Sequence, residues 1–129
     1  MYDIKGRIVI ITGSAQGMGK EFAKRFLENG AKVCLSDIDE IKGNETKKLF
    51  QKEFGINDNA VCFVKCDVSN KEDWPKLWNS AEIFLKGPIE ILVNNAGLNP
   101  SVSFTLKSVF VILVKFLGPP PIKWTLISK

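Results

Sequence analysis

Histidine is absent from the 129 residues, and the one tyrosine is Tyr2, at the start of the chain. The first absence excludes an imidazole base, and the second leaves no phenol in the body of the sequence to carry a proton. Cysteine and lysine remain as bases in principle, but no spacing sets one beside a partner group. Cys34, Cys62 and Cys66 are an odd set without paired spacing, so no metal site is expected and no catalytic residue is assigned. On predicted strands they read as buried, reduced thiols of a cytoplasmic protein. Long apolar runs are missing too. Phe104 to Leu117, broken by Lys107 and Lys115, falls short of the about 20 residues of a membrane span. The opening Met1-Tyr2-Asp3-Ile4-Lys5 is too polar for a signal peptide. Repeats and low-complexity tracts are absent. The net charge of +4, from 18 basic and 14 acidic residues, is scattered, and no stripe or motif points to a nucleic-acid partner. Trp74 and Trp78, one helical turn apart, read as packing residues.

What is present begins with Ile8-Val9-Ile10-Ile11, an apolar β-branched run suited to a strand buried on both faces. Gly13, Gly17 and Gly19 follow, and then Phe22, Ala23, Phe26 and Leu27 at helical spacing. Strand, glycine turn and helix aim backbone N–H groups and the positive helix end at one point, which suits a pyrophosphate. Glycine is required where backbone bends sharply or approaches a ligand. An ordinary glycine-rich loop is the alternative, and the strand and helix on either side argue against it.

Ala31 to Asp37 reads as a second strand ending in an acid, with Gly30 before it as a helix C-cap. Asp37 stands 18 residues beyond Gly19, near the spacing of about 20 for a carboxylate on ribose hydroxyls. Such a carboxylate accepts two hydroxyl bonds and repels a 2′-phosphate, so NAD is favoured over NADP. Asp37 and Asp39 also suit a helix N-cap, and both readings hold together.

Strands are predicted near 7–12, 32–37, 60–66 and 89–95, and helices near 18–29, 39–54 and 70–86. This βαβαβαβ order defines one α/β domain: a three-layer, doubly wound, Rossmann-like parallel sheet in order 3-2-1-4. The dinucleotide half would occupy residues 1–99.

The spacing from Thr12 to Gly19, Thr-Gly-x-x-x-Gly-x-Gly, resembles the short-chain dehydrogenase/reductase family. Lys65-Cys66-Asp67-Val68 resembles its third-strand end, and Ile91-Leu92-Val93-Asn94-Asn95-Ala96-Gly97 its fourth-strand signature. Within the family, these segments and Leu98-Asn99 look most like the NAD-dependent 15-hydroxyprostaglandin dehydrogenase type, and insect alcohol-dehydrogenase-like members share much of the pattern. The resemblance covers residues 1 to about 99. It implies that Gly13, Ser14, Gln16, Gly17, Met18 and Gly19 cradle the pyrophosphate and adenosine ribose, and that Asp37 and Ile38 hold the ribose edge. It further implies that Cys66, Asp67 and Val68 frame the adenine, and that Asn94, Ala96 and Gly97 stiffen the sheet centre and line the inner ribose. The implied reaction is oxidation of a secondary alcohol with hydride transfer to NAD, the small-molecule substrate being an alcohol or ketone.

In that family the chemistry belongs to a downstream Asn, Ser and Tyr-x-x-x-Lys set, which has no counterpart here. The chain is therefore expected to be truncated and inactive alone, serving as a nucleotide-binding or interaction module, as an unstable fragment, or as an oligomer partner of full-length relatives. Residues 100–129 read as a divergent apolar tail. For Phe104–Leu117 the Val109-Phe110-Val111-Ile112 composition favours a strand, while length and the resemblance favour a helix, which is the expectation. Gly118-Pro119-Pro120-Pro121 must end any regular element. Strand four would lie at an open edge unless the tail covers it, which would make the chain prone to aggregate.

Overall fold

A computed structural model describes residues 3–96, 111–116 and 123–128. The first seven elements alternate: β1 (Ile8–Thr12), α1 (Gly17–Glu28), β2 (Lys32–Asp37), α2 (Glu40–Phe54), β3 (Val61–Lys65), α3 (Asp73–Leu85) and β4 (Ile91–Asn94). Two more strands follow, β5 (Val111–Phe116) and β6 (Lys123–Ser128). The sheet runs β3-β2-β1-β4-β5-β6. The four parallel strands stand in the expected order 3-2-1-4, with β1 paired to β2 on one side and β4 on the other.

The period-2 alternation of the strands divides the core into two layers. Val9, Ile11, Val33, Leu35, Ile91 and Val93 join Ala23 and Leu27 of α1 and Phe50 of α2. Ile8, Ile10, Cys34, Cys62 and Leu92 face the other way, onto Leu77, Ala81 and Leu85 of α3. Strands whose residues all lie inside need helices on both faces, and the βαβ crossovers supply them. The three free thiols are buried as expected. Cys34 is raised well above the ordinary thiol range, first by its contact with Cys62 and then by burial.

The tail corrects the helix expectation. Residues 111–116 form β5, which pairs antiparallel with β4 through Ile91↔Phe116 to Asn94↔Leu113, and β6 continues the hairpin. The β-branched composition and the unpaired edge of β4 together outweigh length, since an open edge leaves a row of unpaired backbone groups. The tail therefore covers the edge that the sequence left open. Residues 104–110 and 117 of the expected helix lie outside the described residues. β5 ends at Phe116, just before Gly118-Pro119-Pro120-Pro121.

Candidate functional site

The carboxyl ends of β1 and β4 meet where the chain order reverses, the place in an open α/β sheet where a crevice forms. Thr12 closes this junction. Its buried Oγ1 accepts from the N–H groups of Asn95 and Ala96, each at 3.0 Å, and donates to Asn94 Oδ1 at 3.2 Å. Asn95 Nδ2 donates to Gly13 O at 3.1 Å. A Cβ on Gly13 would stand 3.0 Å from Ala96 Cα, so the two turns touch backbone to backbone. Gly97 lies outside the described residues.

Three glycines serve this turn differently. A Cβ on Gly19 would fall 2.2 Å from Gly13 O, so the first turn of α1 packs against β1 only without a side chain there. Gly13 and Gly17 have φ of +65° and +63°, a region costly for other residues. Gly17 has open space around it, whereas Gly19 is buried. Gln16, Gly17 and Met18 are exposed and form the mouth.

The two helix starts differ in a telling way. α2 is capped by Asp39, whose Oδ1 accepts from Lys42 N at 3.0 Å, and Glu40 lies in its first turn. α1 has no side-chain cap on its N-terminus and no acidic residue in its first turn. Its first N–H groups and positive end are therefore suited to an anionic ligand.

Asp37 closes the other side of the turn. Its Oδ2 accepts from Ala15 N and its Oδ1 from Asp39 N, both at 3.0 Å. Each oxygen keeps capacity for a further donor. Asp39, not Asp37, is the helix cap. Ser14 is buried. Its Oγ donates to Ile11 O and accepts from Ser36 N, at 2.8 and 2.9 Å, clamping the turn to β2. Ile38 is 61% exposed and forms the lip. Beside it an open groove runs between the start of α2 and Lys65 at the end of β3.

The residues after β3 are joined to this wall by Cys66 N, which donates to Asp37 O at 3.1 Å. Cys66 is buried, and burial followed by the nearby Asp73 charge pushes its thiol up. Asp67 accepts from Ser69 Oγ at 2.6 Å and Ser69 N at 3.0 Å, all on Oδ1. These bonds, the hydroxyl first, hold its carboxyl below the ordinary range. Val68 O accepts from Trp74 Nε1 at 3.0 Å.

The structure thus gathers Gly13, Gln16, Gly17, Met18, Gly19 and Asp37 about one mouth, with Cys66, Asp67 and Val68 beyond Asp37 and Asn94 and Ala96 at its floor. Sequence reasoning passed over three residues of this site: Thr12 and Asn95, though both stood inside the quoted motifs, and Thr46 of α2. Thr46 is buried, and its Oγ1 donates to Ala15 O at 2.6 Å. A threonine mid-helix carries no local signal of such a partner.

Residues 7–110 match the short chain dehydrogenase family, and the chain belongs to it. It is 40% identical over 98 residues to an uncharacterized oxidoreductase of Thermotoga maritima, covering 76% of this chain and 36% of that protein. Human 15-hydroxyprostaglandin dehydrogenase [NAD(+)] is 33% identical over 96 residues, covering 74% and 35%. Among solved structures, a short chain dehydrogenase/reductase from Burkholderia phymatum in complex with NAD superposes with a TM-score of 0.65 at 28% identity, covering 71% of this chain and 31% of that one. The chain spans about a third of the length of these relatives. Among the described residues no helix is long and apolar enough to cross a membrane, and no cluster of side chains is suited to a metal ion.

Proposed function

We propose that this chain is the nucleotide-binding part of a short-chain dehydrogenase/reductase-type oxidoreductase and that its dinucleotide is NAD. The observation that carries the reading is the uncapped start of α1 beside a carboxylate with spare acceptor capacity. Gly13, Gln16, Gly17, Met18 and Gly19 would hold the pyrophosphate, with Ser14 bracing the turn from inside. Asp37 would accept the ribose hydroxyls, with Ile38 against the ribose edge. Cys66, Asp67 and Val68 would border the adenine, and Asn94, Ala96 and Gly97 the inner ribose. When bound, the nicotinamide supplies a hydride acceptor.

This chain's own residues bind and orient the nucleotide. Histidine is absent and the one tyrosine is Tyr2, so neither an imidazole nor a phenol in the body of the sequence is there to move the alcohol proton. The reaction at family level is oxidation of a secondary alcohol, of the hydroxyprostaglandin dehydrogenase kind. These residues would bind the nucleotide without turning over by themselves, in the cytoplasm, and the proton-transfer groups would come from outside residues 1–129.

The test pairs binding with turnover. Titrating the chain into NADH and following nucleotide fluorescence should give saturable binding. The same protein with NAD and a panel of secondary alcohols should show no reduction above background. Absence of any nucleotide binding would remove the reading. Alcohol-dependent reduction that disappears in Gly17→Trp would overturn the non-catalytic half of it and reveal a base not considered above.

A further inference from the structure

The Ala15 peptide groups are gripped from both sides, and the two grips come from different elements. Ala15 N donates to Asp37 Oδ2 at 3.0 Å, from the end of β2. Ala15 O accepts from Thr46 Oγ1 at 2.6 Å, from the second turn of α2. Ala15 is fully buried and Thr46 is 2% exposed, so water does not compete for the bond to Ala15 O, while the bond to Asp37 is part-buried.

A helical threonine ordinarily turns its hydroxyl back to a carbonyl of its own helix. Here it reaches a turn 31 residues earlier in the chain. The reach depends on how closely α2 lies on the sheet. A Cβ on Gly43 would fall 2.0 Å from the Phe63 ring, so the glycine lets the helix settle onto β3. Phe50, one turn beyond Thr46, is buried in the same layer.

The grip on Ala15 O has a directional consequence. In a trans peptide the carbonyl and the following N–H point opposite ways. With Ala15 O held toward α2, the Gln16 N–H faces away from α2. Gln16 is the residue before α1, and Gly17 behind it is open.

From this we infer that Thr46 is a positioning residue of the nucleotide site: its hydroxyl fixes the plane of the Ala15–Gln16 peptide and so holds in place Ala15, whose own N–H, in the preceding peptide, meets the carboxylate of Asp37. It touches no ligand. It sets the aim of a turn amide and of the acid that reads the ribose. The inference rests on the nucleotide-binding reading above for its functional consequence, but its structural core does not.

Two variants and two measurements test it. Thr46→Val keeps the shape and removes the donor; Thr46→Ser keeps the donor. In the nucleotide-free protein, amide hydrogen exchange at Ala15, whose N–H is bonded to Asp37, should quicken about tenfold in Thr46→Val, as expected when a buried acceptor loses its partner, and return near the parent rate in Thr46→Ser. NADH affinity should fall about tenfold in Thr46→Val, and the NADH-over-NADPH preference should narrow, with Thr46→Ser restoring both. A merely structural threonine would lower the melting temperature and leave the NADH-to-NADPH ratio unchanged.

Unchanged exchange at Ala15 in Thr46→Val overturns the inference, as does a preserved NADH-to-NADPH ratio in Thr46→Val when the parent binds NADH. If the parent binds neither nucleotide but exchange quickens as stated, the nucleotide reading fails and the positioning of the turn stands.

Discussion

The turn after β1 and the loop after β3 both end a parallel strand at the same edge of the sheet, yet they are held in opposite ways. The side-chain bonds tying down the turn at Thr12, Gly13 and Ala15 run to partners 22 to 84 residues away: Asp37, Thr46, Asn94, Asn95 and Ala96. The loop at Cys66 to Asp73 is bonded mainly to itself. Asp67 closes onto Ser69, Asp67 N donates to Asp73 Oδ2 at 2.9 Å, and Trp74 reaches Val68, all within 2 to 6 residues. One backbone bond, from Cys66 N to Asp37 O, joins it to the wall of the site. The turn is therefore shaped by the whole fold. The loop keeps its form from local chemistry and leans on the site at one point.

The comparison breaks first at Gly19. A side chain there would collide with Gly13 O, a backbone atom with nowhere to move. Gly19→Val should destabilise the fold by about 3 kcal/mol and abolish nucleotide binding, read from a denaturant melt and an NADH titration. A variant with parent stability would show that the turn is softer than its contacts imply.

Thr12 is next. Thr12→Val would leave the Asn95 and Ala96 N–H groups without their acceptor. The expected loss is about 2–3 kcal/mol, again visible in a melt, with the β1–β4 junction exchanging faster than the rest of the sheet.

The smallest effect belongs to the loop. Asp67 is held below its ordinary pKa chiefly by Ser69 Oγ and then by Ser69 N. A carboxylate depressed in the folded state contributes stability that is full above the unfolded pKa and is lost as pH falls through the folded one. Ser69→Ala should move the Asp67 titration, followed by NMR, up toward the ordinary aspartate value and lessen the acid-side loss, while NADH binding at neutral pH changes little. A large loss of binding at neutral pH would mean that the loop is as tightly integrated as the turn.

The same contrast explains what was legible in the sequence. Gly13, Gly17, Gly19 and Asp37 announce themselves because a backbone conformation or a charge at a fixed spacing requires those residue types. The parallel order followed from Ile8–Ile11 and the alternation of strands and helices. Thr46 was not legible, since its partner is 31 residues away and nothing in its own helix marks it. Nor was the choice of Asp39 over Asp37 as the cap of α2, which depends on where α2 begins. The β5–β6 hairpin was missed for a related reason: composition favoured a strand and length a helix, and the β4 edge that decides between them is not local to Val111–Phe116.

The central claim is that the turn and Asp37 form a ready-made site that reads an unphosphorylated ribose. Parallel calorimetric titrations of NADH and NADPH, on the parent chain and on Asp37→Ala, test it most directly. The account predicts tighter binding of NADH by the parent and a preference reduced about tenfold or more in Asp37→Ala, the weight of hydrogen bonds to one charged group. Equal or tighter binding of NADPH by the parent would contradict it.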